Sequence, residues 1–347
     1  MSLWLTKGPP FVAEIGGNHG GDARLAAQMV ESAAKLGFGG VKFQAYRTEN
    51  FIHQSSPYYD ELKREELSFD ELGELGRLAK KLSLAFGLTI FDLEGLGLAQ
   101  GLGCDFIKIS SGDLTYLPLI REAAKAKSPL VISTGASTQA EVDKALAITG
   151  PRAIVLQCAS LYPAPEGAVN LAVLDSWLRK GLRAGLSDHS LTLEPMKWAY
   201  FLGAELIEKH FTIDRSLPGG DNQMSMDPSG MAQLMSEIKE LNGLGAPKNH
   251  DRPNLAKTLR NEPFWCDGAK TPQVGENPNL IRRYALASTR IKKGEKLSLK
   301  NLVFKRLSPQ MITEGQGILT PDRDFENLKA KSDLAANEPI FLSAITD

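Results

Sequence analysis

Several features that would mark a specialised class are scarce in this chain. It has only three cysteines in 347 residues, Cys104, Cys158 and Cys266. They are odd in number, far apart and without metal-ligand spacing, which excludes a disulfide framework or a zinc knuckle. Such cysteine usage fits a reducing cytosol, so a cytoplasmic location is expected. Charge of one sign is also missing. Forty Lys and Arg face 41 Asp and Glu, for a net charge of −1. A nucleic-acid binder would show a basic excess or stripe, and neither is visible. No uncharged apolar run reaches the length of about 20 residues that a membrane-spanning helix needs. The N-terminal stretch lacks a signal-peptide layout, because Glu14 interrupts its apolar run. Apolar residues at 42% and charged residues at 23% are ordinary globular values. They argue against a disordered, collagen-like or coiled-coil chain.

What the chain does have is alternation. Strand candidates are Phe11–Gly16, Gly40–Tyr46, Leu84–Ile90, Phe106–Ser111, Pro129–Thr134, Ala153–Ala159, Leu182–His189 and Glu205–Phe211. Each precedes a run with helical spacing, such as Leu25, Ala26, Met29, Val30 and Ala33 within Asp22–Leu36. Thr138 before Gln139, with Glu141 three residues on, reads as a capping box. Eight strand–helix units within residues 1–245 predict a closed (β/α)8 TIM barrel. An open doubly wound sheet is the alternative. It is weakened because Gly16-Gly17-Asn18-His19-Gly20-Gly21 does not fit the dinucleotide-binding glycine pattern. Residues 246–279 hold Pro247, Pro253, Pro263, Pro272 and Pro278, which read as a linker without helix or strand. Residues 280–347 read as a small β-rich domain, too short to bury much core alone and so expected to dock on something.

In a barrel, function sits where the strands end, and here those ends are polar. The first strand carries Glu14, the second Lys42 and Gln44, the third Thr89. The fourth carries Lys108 and Ser111, with Asp113 just beyond; the sixth is followed by Ser160 and Tyr162. The seventh ends in Ser187-Asp188-His189 and the eighth in Glu208-Lys209-His210. Residues two apart share a strand face, so Lys42 with Gln44, Ser187 with His189, and Glu208 with His210 can converge, while Lys209 points away. His189 and His210 near Glu14, Asp113 and Glu208 resemble a site for manganese, magnesium or a similar ion. Lys42 and Lys108 with Thr89, Ser111 and Ser187 suit a phosphate group. Together they suggest phosphoryl or enolpyruvyl chemistry. Plainer readings stand beside this one: Lys42 paired with Glu14 only to hold the barrel, His189 as a core histidine, Lys209 as structural.

The ordered set of motifs then becomes specific. Ala13-Glu14-Ile15-Gly16 with Asn18-His19, Val41-Lys42-Phe43-Gln44, Lys108-Ile109 with Ser111-Gly112, and Ser133-Thr134-Gly135 come first. Tyr162-Pro163, Leu186-Ser187-Asp188-His189, Glu208-Lys209-His210-Phe211-Thr212 and Pro218-Gly219 with Asp221 follow. This series resembles the N-acetylneuraminate (sialic acid) synthase family. Ala287-Ser288, Ile291-Lys292-Lys293-Gly294-Glu295, Asn301-Leu302 and Lys305-Arg306 resemble that family's antifreeze-like (SAF) domain.

The resemblance implies condensation of phosphoenolpyruvate with an N-acylated hexosamine, releasing phosphate. N-acetylmannosamine is the default acceptor, with 6-deoxy diacetamido hexoses for legionaminic or pseudaminic acid as relatives. It implies that Lys42, Thr89, Lys108, Ser111, Ser160 and Ser187 hold phosphoenolpyruvate. A manganese or magnesium ion on His189 and His210 would polarise the sugar aldehyde. Glu14 and Asp113 would handle protons, while Gln44, Tyr162, Glu208 and Asp221 would hold the sugar or order the metal's shell. The family's small domain crosses to the partner of a homodimer, which implies that Arg306 reaches the partner's sugar. The chain departs from the family pattern at four places on the sugar side or at the proton-transfer site. Asp113 stands where glutamate is usual, Leu307-Ser308-Pro309 follows Lys305-Arg306, Gly220 interrupts Pro-Gly-Pro-Asp, and Arg47–Leu67 does not match the sugar-side loop. Competing readings are another metal-dependent barrel enzyme, such as a hydrolase or aldolase, and a non-catalytic sugar-binding protein.

Overall fold

The computed structural model describes residues 10–243, 252–314 and 317–346. Eight strands close a parallel barrel in chain order: β1 (Phe11–Glu14), β2 (Gly40–Ala45), β3 (Ala85–Ile90), β4 (Phe106–Ile109), β5 (Leu130–Ser133), β6 (Ile154–Cys158), β7 (Ala184–Asp188) and β8 (Ile207–His210). Pairing of β1 with β8 completes the ring. The strands are buried along both faces, as expected when helices cover a parallel sheet. This confirms the TIM-barrel reading.

Inside the barrel, Val12, Ala85, Phe106, Val131, Ile154, Leu156 and Leu206 pack into one dry cluster. Gly87 makes room for it, since a Cβ there would stand 2.2 Å from the Phe106 ring. Moving two residues along a strand keeps the same face. Glu14 therefore stands one layer above Val12, Lys108 above Phe106, Cys158 above Leu156 and Glu208 above Leu206. The apolar cluster is a floor, and the polar strand ends rise from it.

Outside, local chemistry starts the helices where the sequence places them. Asp22 accepts from the N–H groups of Arg24 and Leu25 to open Ala23–Lys35. Thr138 and Glu141 form the expected reciprocal cap on Gln139–Thr149, and Ser68 with Glu71 forms a second one on Phe69–Lys81. No helix of the described residues is long and apolar enough to cross a membrane.

One expectation is corrected beyond the barrel. The segment read as a linker contains a helix, Arg252–Leu259. Pro253 lies in its first turn, where the missing N–H has no partner to lose. Leu255, Leu259, Phe264 and Trp265 pack into the main core, so this segment is a strap lying on the barrel. Part of it, residues 246–251, lies outside the described residues.

The small domain pairs β9 (Tyr284–Ala287) with β10 (Leu302–Lys305), and β11 (Lys329–Ala330) with β12 (Ile345–Thr346). It has a core of its own around Ala285, Ile291, Phe304, Leu319 and Phe325. It docks on the barrel of the same chain. The Arg306 N–H donates to the Phe51 carbonyl at 3.0 Å, and the His53 N–H donates to the Arg306 carbonyl at 2.8 Å.

Arg283 fastens this docking. It is 1% exposed, donates to Asp113 at 2.6 and 3.2 Å and to the carbonyls of Phe51 and Phe304 at 2.9 and 3.2 Å, and lies over the Phe51 ring. Removing one partner of a buried pair leaves an uncompensated charge, at a cost of about 3–5 kcal/mol. Arg283→Met is thus expected to lower stability by about that much and to loosen the small domain. Urea unfolding measures the first and limited proteolysis the second; a variant indistinguishable from wild type in both would remove the fastening role.

Candidate active site

Four buried charges of alternating sign sit at the centre of the polar layer. The Lys42 ammonium contacts the Glu14 carboxylate, donates to Thr89 Oγ1 at 2.6 Å, and lies 3.8 Å from Glu208. Lys108 donates to both Glu208 oxygens at 2.6 and 2.7 Å, and Ser187 Oγ donates to Glu208 at 2.9 Å. The barrel register brings these groups level, pairing Glu14 with Lys42, Thr89 with Lys108 and Ser187 with Glu208. Burial alone would raise the Glu208 carboxyl, but Lys108 and Lys42 outweigh it and hold the group well below the carboxylate range. Burial pulls Lys42 down to about 7, with Glu208 opposing and nearby Lys108 reinforcing. A lysine poised near neutrality is a common mark of a functional site.

Beside this quartet, the imidazoles of His189 and His210 have centroids 5.4 Å apart. His189 Nδ1 lies 2.6 Å from the Ala159 carbonyl. That bond assigns its proton to Nδ1 and leaves Nε2 as a free base. His210 Nδ1 is buried without a hydrogen-bond partner, 3.4 Å from Asp221 Oδ2. Burial pushes His210 down to about 4, so its ring is neutral at pH 7. Tyr162, half-exposed, stacks on His189 at 4.1 Å and meets His210 edge-on at 5.8 Å, covering the pair from solvent.

Could these rings share an ion? A metal about 2.1 Å from a nitrogen of each fits between rings at this spacing. Two imidazoles, with His210 Nδ1 orphaned and His189 Nε2 outside the Ala159 bond, are a suitable donor pair. Among the described residues, no group of three or more His, Cys, Asp or Glu forms a ready cage. Water or substrate would have to complete the coordination.

The hydroxyl groups converge nearby. Ser111 Oγ accepts from the Gly135 N–H at 2.9 Å. A Cβ on Gly135 would stand 2.0 Å from Ser160 Oγ and 3.0 Å from Ser111 Oγ, so both hydroxyls close over this glycine. Gln44 Nε2 lies 3.4 Å from Glu14. Asn18 accepts from the Asp221 N–H at 2.8 Å and anchors that loop beside His210.

One placement differs from expectation. Asp113 is fully buried with both oxygens on Arg283, so it faces the small domain. Its shorter side chain serves the fastening described above. Glu208 lies deep in the layer as counter-ion to Lys108. Arg306 lies on the barrel of its own chain. Its guanidinium stacks on Phe51 at 4.6 Å and comes within 2.7 Å of where a Gly112 Cβ would stand.

Other residues were missed. Cys158 lies 3.6 Å from Ser111 Oγ and 3.9 Å from His189 Nδ1; period-two counting from Leu156 would have found it. Glu65 accepts from the Gly220 N–H at 2.9 Å, and burial raises its carboxyl to about 7. Glu276 and Arg283 gave no signal, because both lie in or beside a segment read as a linker. A cavity of about 590 Å³ opens elsewhere, lined by Asp175, Arg179, Arg260 and Trp265 among others, and none of the site residues lines it.

This fold and this layer define a barrel protein that gathers lysines, hydroxyls and paired imidazoles above an apolar floor. The chain belongs to the NeuB family, whose model matches residues 29–247. It is 34% identical to an uncharacterised protein of Methanocaldococcus jannaschii, with 95% of each chain covered. It is 33% identical to the N,N'-diacetyllegionaminic acid synthase of Campylobacter jejuni, covering 85% of this chain and 90% of that one. Among solved structures, the spore coat polysaccharide biosynthesis protein SpsE of Bacillus subtilis superposes with a TM-score of 0.79 at 26% identity. That match covers 97% of this chain and 95% of the other.

Two buried imidazoles, His19 after β1 and His210 in the site, give the fold an acid limit. Burial holds each near 4, against 6.5 for the free side chain. As pH falls from 6.5 to 4 the unfolded chain takes up these protons first, so stability is full above 6.5 and is lost on the way to 4. Each ring accounts for up to about 3 kcal/mol of that loss. Urea midpoints measured at pH 7 and pH 4.5 should fall less for His19→Asn than for wild type; equal falls would contradict the assignment.

Proposed function

We propose that this protein condenses phosphoenolpyruvate with the open-chain aldehyde of an N-acyl amino sugar, forming a nonulosonic (sialic-type) acid and releasing inorganic phosphate. Carbon three of the enolpyruvate forms the new bond to the aldehyde carbon. Water adds at carbon two, and the carbon–oxygen bond to phosphate then breaks. The observation that carries this reading is the joint presence of Lys42, Lys108 and the Ser111–Ser160 hydroxyls on the same barrel mouth as the paired imidazoles of His189 and His210.

In this reading Lys42, Thr89, Lys108, Ser111, Ser160 and Ser187 hold phosphoenolpyruvate. Glu14, in contact with Lys42, takes a proton from the water that adds at carbon two, and the aldehyde oxygen takes up a proton as it becomes a hydroxyl. Gln44, Tyr162, Asp221 and Arg306 line the sugar side. A manganese or magnesium ion held by His189 and His210 would supply Lewis-acid polarisation of the sugar carbonyl. The identity with the legionaminic acid synthase favours a 6-deoxy diacetamido hexose over N-acetylmannosamine as acceptor. The likeness to SpsE supports a place in surface or spore-coat polysaccharide synthesis. We further take the small domain to be antifreeze-like, the protein to be a cytoplasmic homodimer, and each Arg306 to serve the site of its own chain.

Phosphate release across a panel of amino sugars tests the reaction, and diacetamido sugars are expected to turn over fastest. No release with any sugar, with manganese present, would sink it. Lys42→Ala should raise the KM for phosphoenolpyruvate at least tenfold while leaving the sugar KM within a factor of about two, whereas Arg306→Ala should do the reverse. His189→Ala and His210→Ala should each abolish manganese-dependent activity and manganese binding by calorimetry. Full activity in both would remove the metal.

A further inference from the structure

We propose that Glu276, on the strap between the two domains, is a positioning residue for the anion-binding hydroxyls of Ser111 and Ser160. The inference rests on the phosphoenolpyruvate reading above and adds a residue to it.

The loops after β5 and β6 meet at Glu276. One carboxylate oxygen accepts from the Ala136 N–H at 2.8 Å and also, closely, from the Ser160 N–H. The other accepts from the Gln273 N–H at 2.6 Å, which sets the carboxylate's orientation within the strap. The Ala136 peptide is gripped on its other side as well, because Arg282 donates to its carbonyl at 3.0 Å. Ala136 sits at φ +51°, a left-handed conformation that a side chain adopts only when its surroundings impose it. Its neighbour Gly135 is the residue over which Ser111 and Ser160 converge, and the Gly135 N–H donates to Ser111.

These links form a chain from strap to site. The carboxylate fixes the N–H of Ser160 directly. It also holds Ala136, and through it the Gly135 peptide that orients the Ser111 hydroxyl. An ionised acceptor makes the stronger class of hydrogen bond, so two backbone donors on one carboxylate are a stiff joint. Without it, Ala136 can relax toward ordinary φ and Ser160 can swing, leaving the hydroxyls aimed poorly at a phosphate group.

Steady-state kinetics on Glu276→Ala and Glu276→Gln in the full chain tests this. Glu276→Ala should raise the KM for phosphoenolpyruvate about tenfold, with the sugar KM and kcat within a factor of about two of wild type. Glu276→Gln keeps an acceptor oxygen and should recover part of the loss. Hydrogen exchange should show faster exchange at Ala136 and Ser160 in the alanine variant. Equal rises in both KM values, a fall in kcat alone, or an unchanged phosphoenolpyruvate KM in an otherwise active variant would overturn the positioning role while sparing the proposed reaction. A wild-type protein that neither binds phosphoenolpyruvate by calorimetry nor releases phosphate would overturn both.

Discussion

The quartet of Glu14, Lys42, Glu208 and Lys108 is the constraint around which the barrel mouth is arranged. Four acidic and basic side chains are almost wholly shielded from solvent, each beside groups of opposite sign. Desolvating such charges is expensive, and mutual attraction offsets the cost only when the geometry is close and the remaining hydrogen bonds are made. Thr89 and Ser187 supply those bonds. The apolar floor beneath contributes by excluding solvent, which strengthens every interaction above it. Replacing buried ion pairs by aliphatic residues of similar volume is often neutral or stabilising, so packing alone does not account for these charges.

A second buried pair performs a different task with the same physics. Asp113 and Arg283 join the end of β4 to the start of the small domain, and the guanidinium groups of Arg283 and Arg306 both lie over the Phe51 ring. Docking of the small domain and placement of Arg306 are therefore one event. The aspartate in place of the family's usual glutamate sits at this joint, where its reach is fully used by the guanidinium. Of the chain's departures from the family pattern, Asp113, the Arg47–Leu67 stretch and Leu307–Pro309 lie at or beside the contact between domains, while Gly220 lies in the loop beside His210.

Much of this was legible in the sequence, for a reason specific to barrels. Closed parallel strands obey period two and end at a common face, so Lys42 with Gln44 and Glu208 with His210 could be assigned to one side without coordinates. Lys209, pointed outward by the same count, indeed pairs with Asp188 and with the Ser190 carbonyl. What period two cannot convey is which of several nearby charges pair. Glu208 was as good a candidate for the sugar as for Lys108 until the register set it against Ser187. The strap was illegible for another reason. Its prolines mask a helix with Pro253 in its first turn, and Glu276 acts on atoms of the backbone, which leave no trace in residue type.

The balance of charge within the quartet also bears on how the proposed substrate is held. Two lysines already matched by two carboxylates present no net positive charge to phosphoenolpyruvate, which brings a phosphate and a carboxylate. Binding must then come from redistribution. Lys42, which burial pulls to about 7, gains proton affinity when an anion arrives beside it, because a nearby negative charge favours the ammonium form. Arg306 stays cationic even though burial draws it down to about 10, and it stands at the mouth rather than in the quartet. In the proposed reading, the remaining positive charge is that of an ion between His189 and His210, the second of which burial keeps neutral. A site that is balanced when empty and short of positive charge when filled would bind its anion tightly only with that ion and the docked arginine in place, which ties the order of assembly to electrostatics.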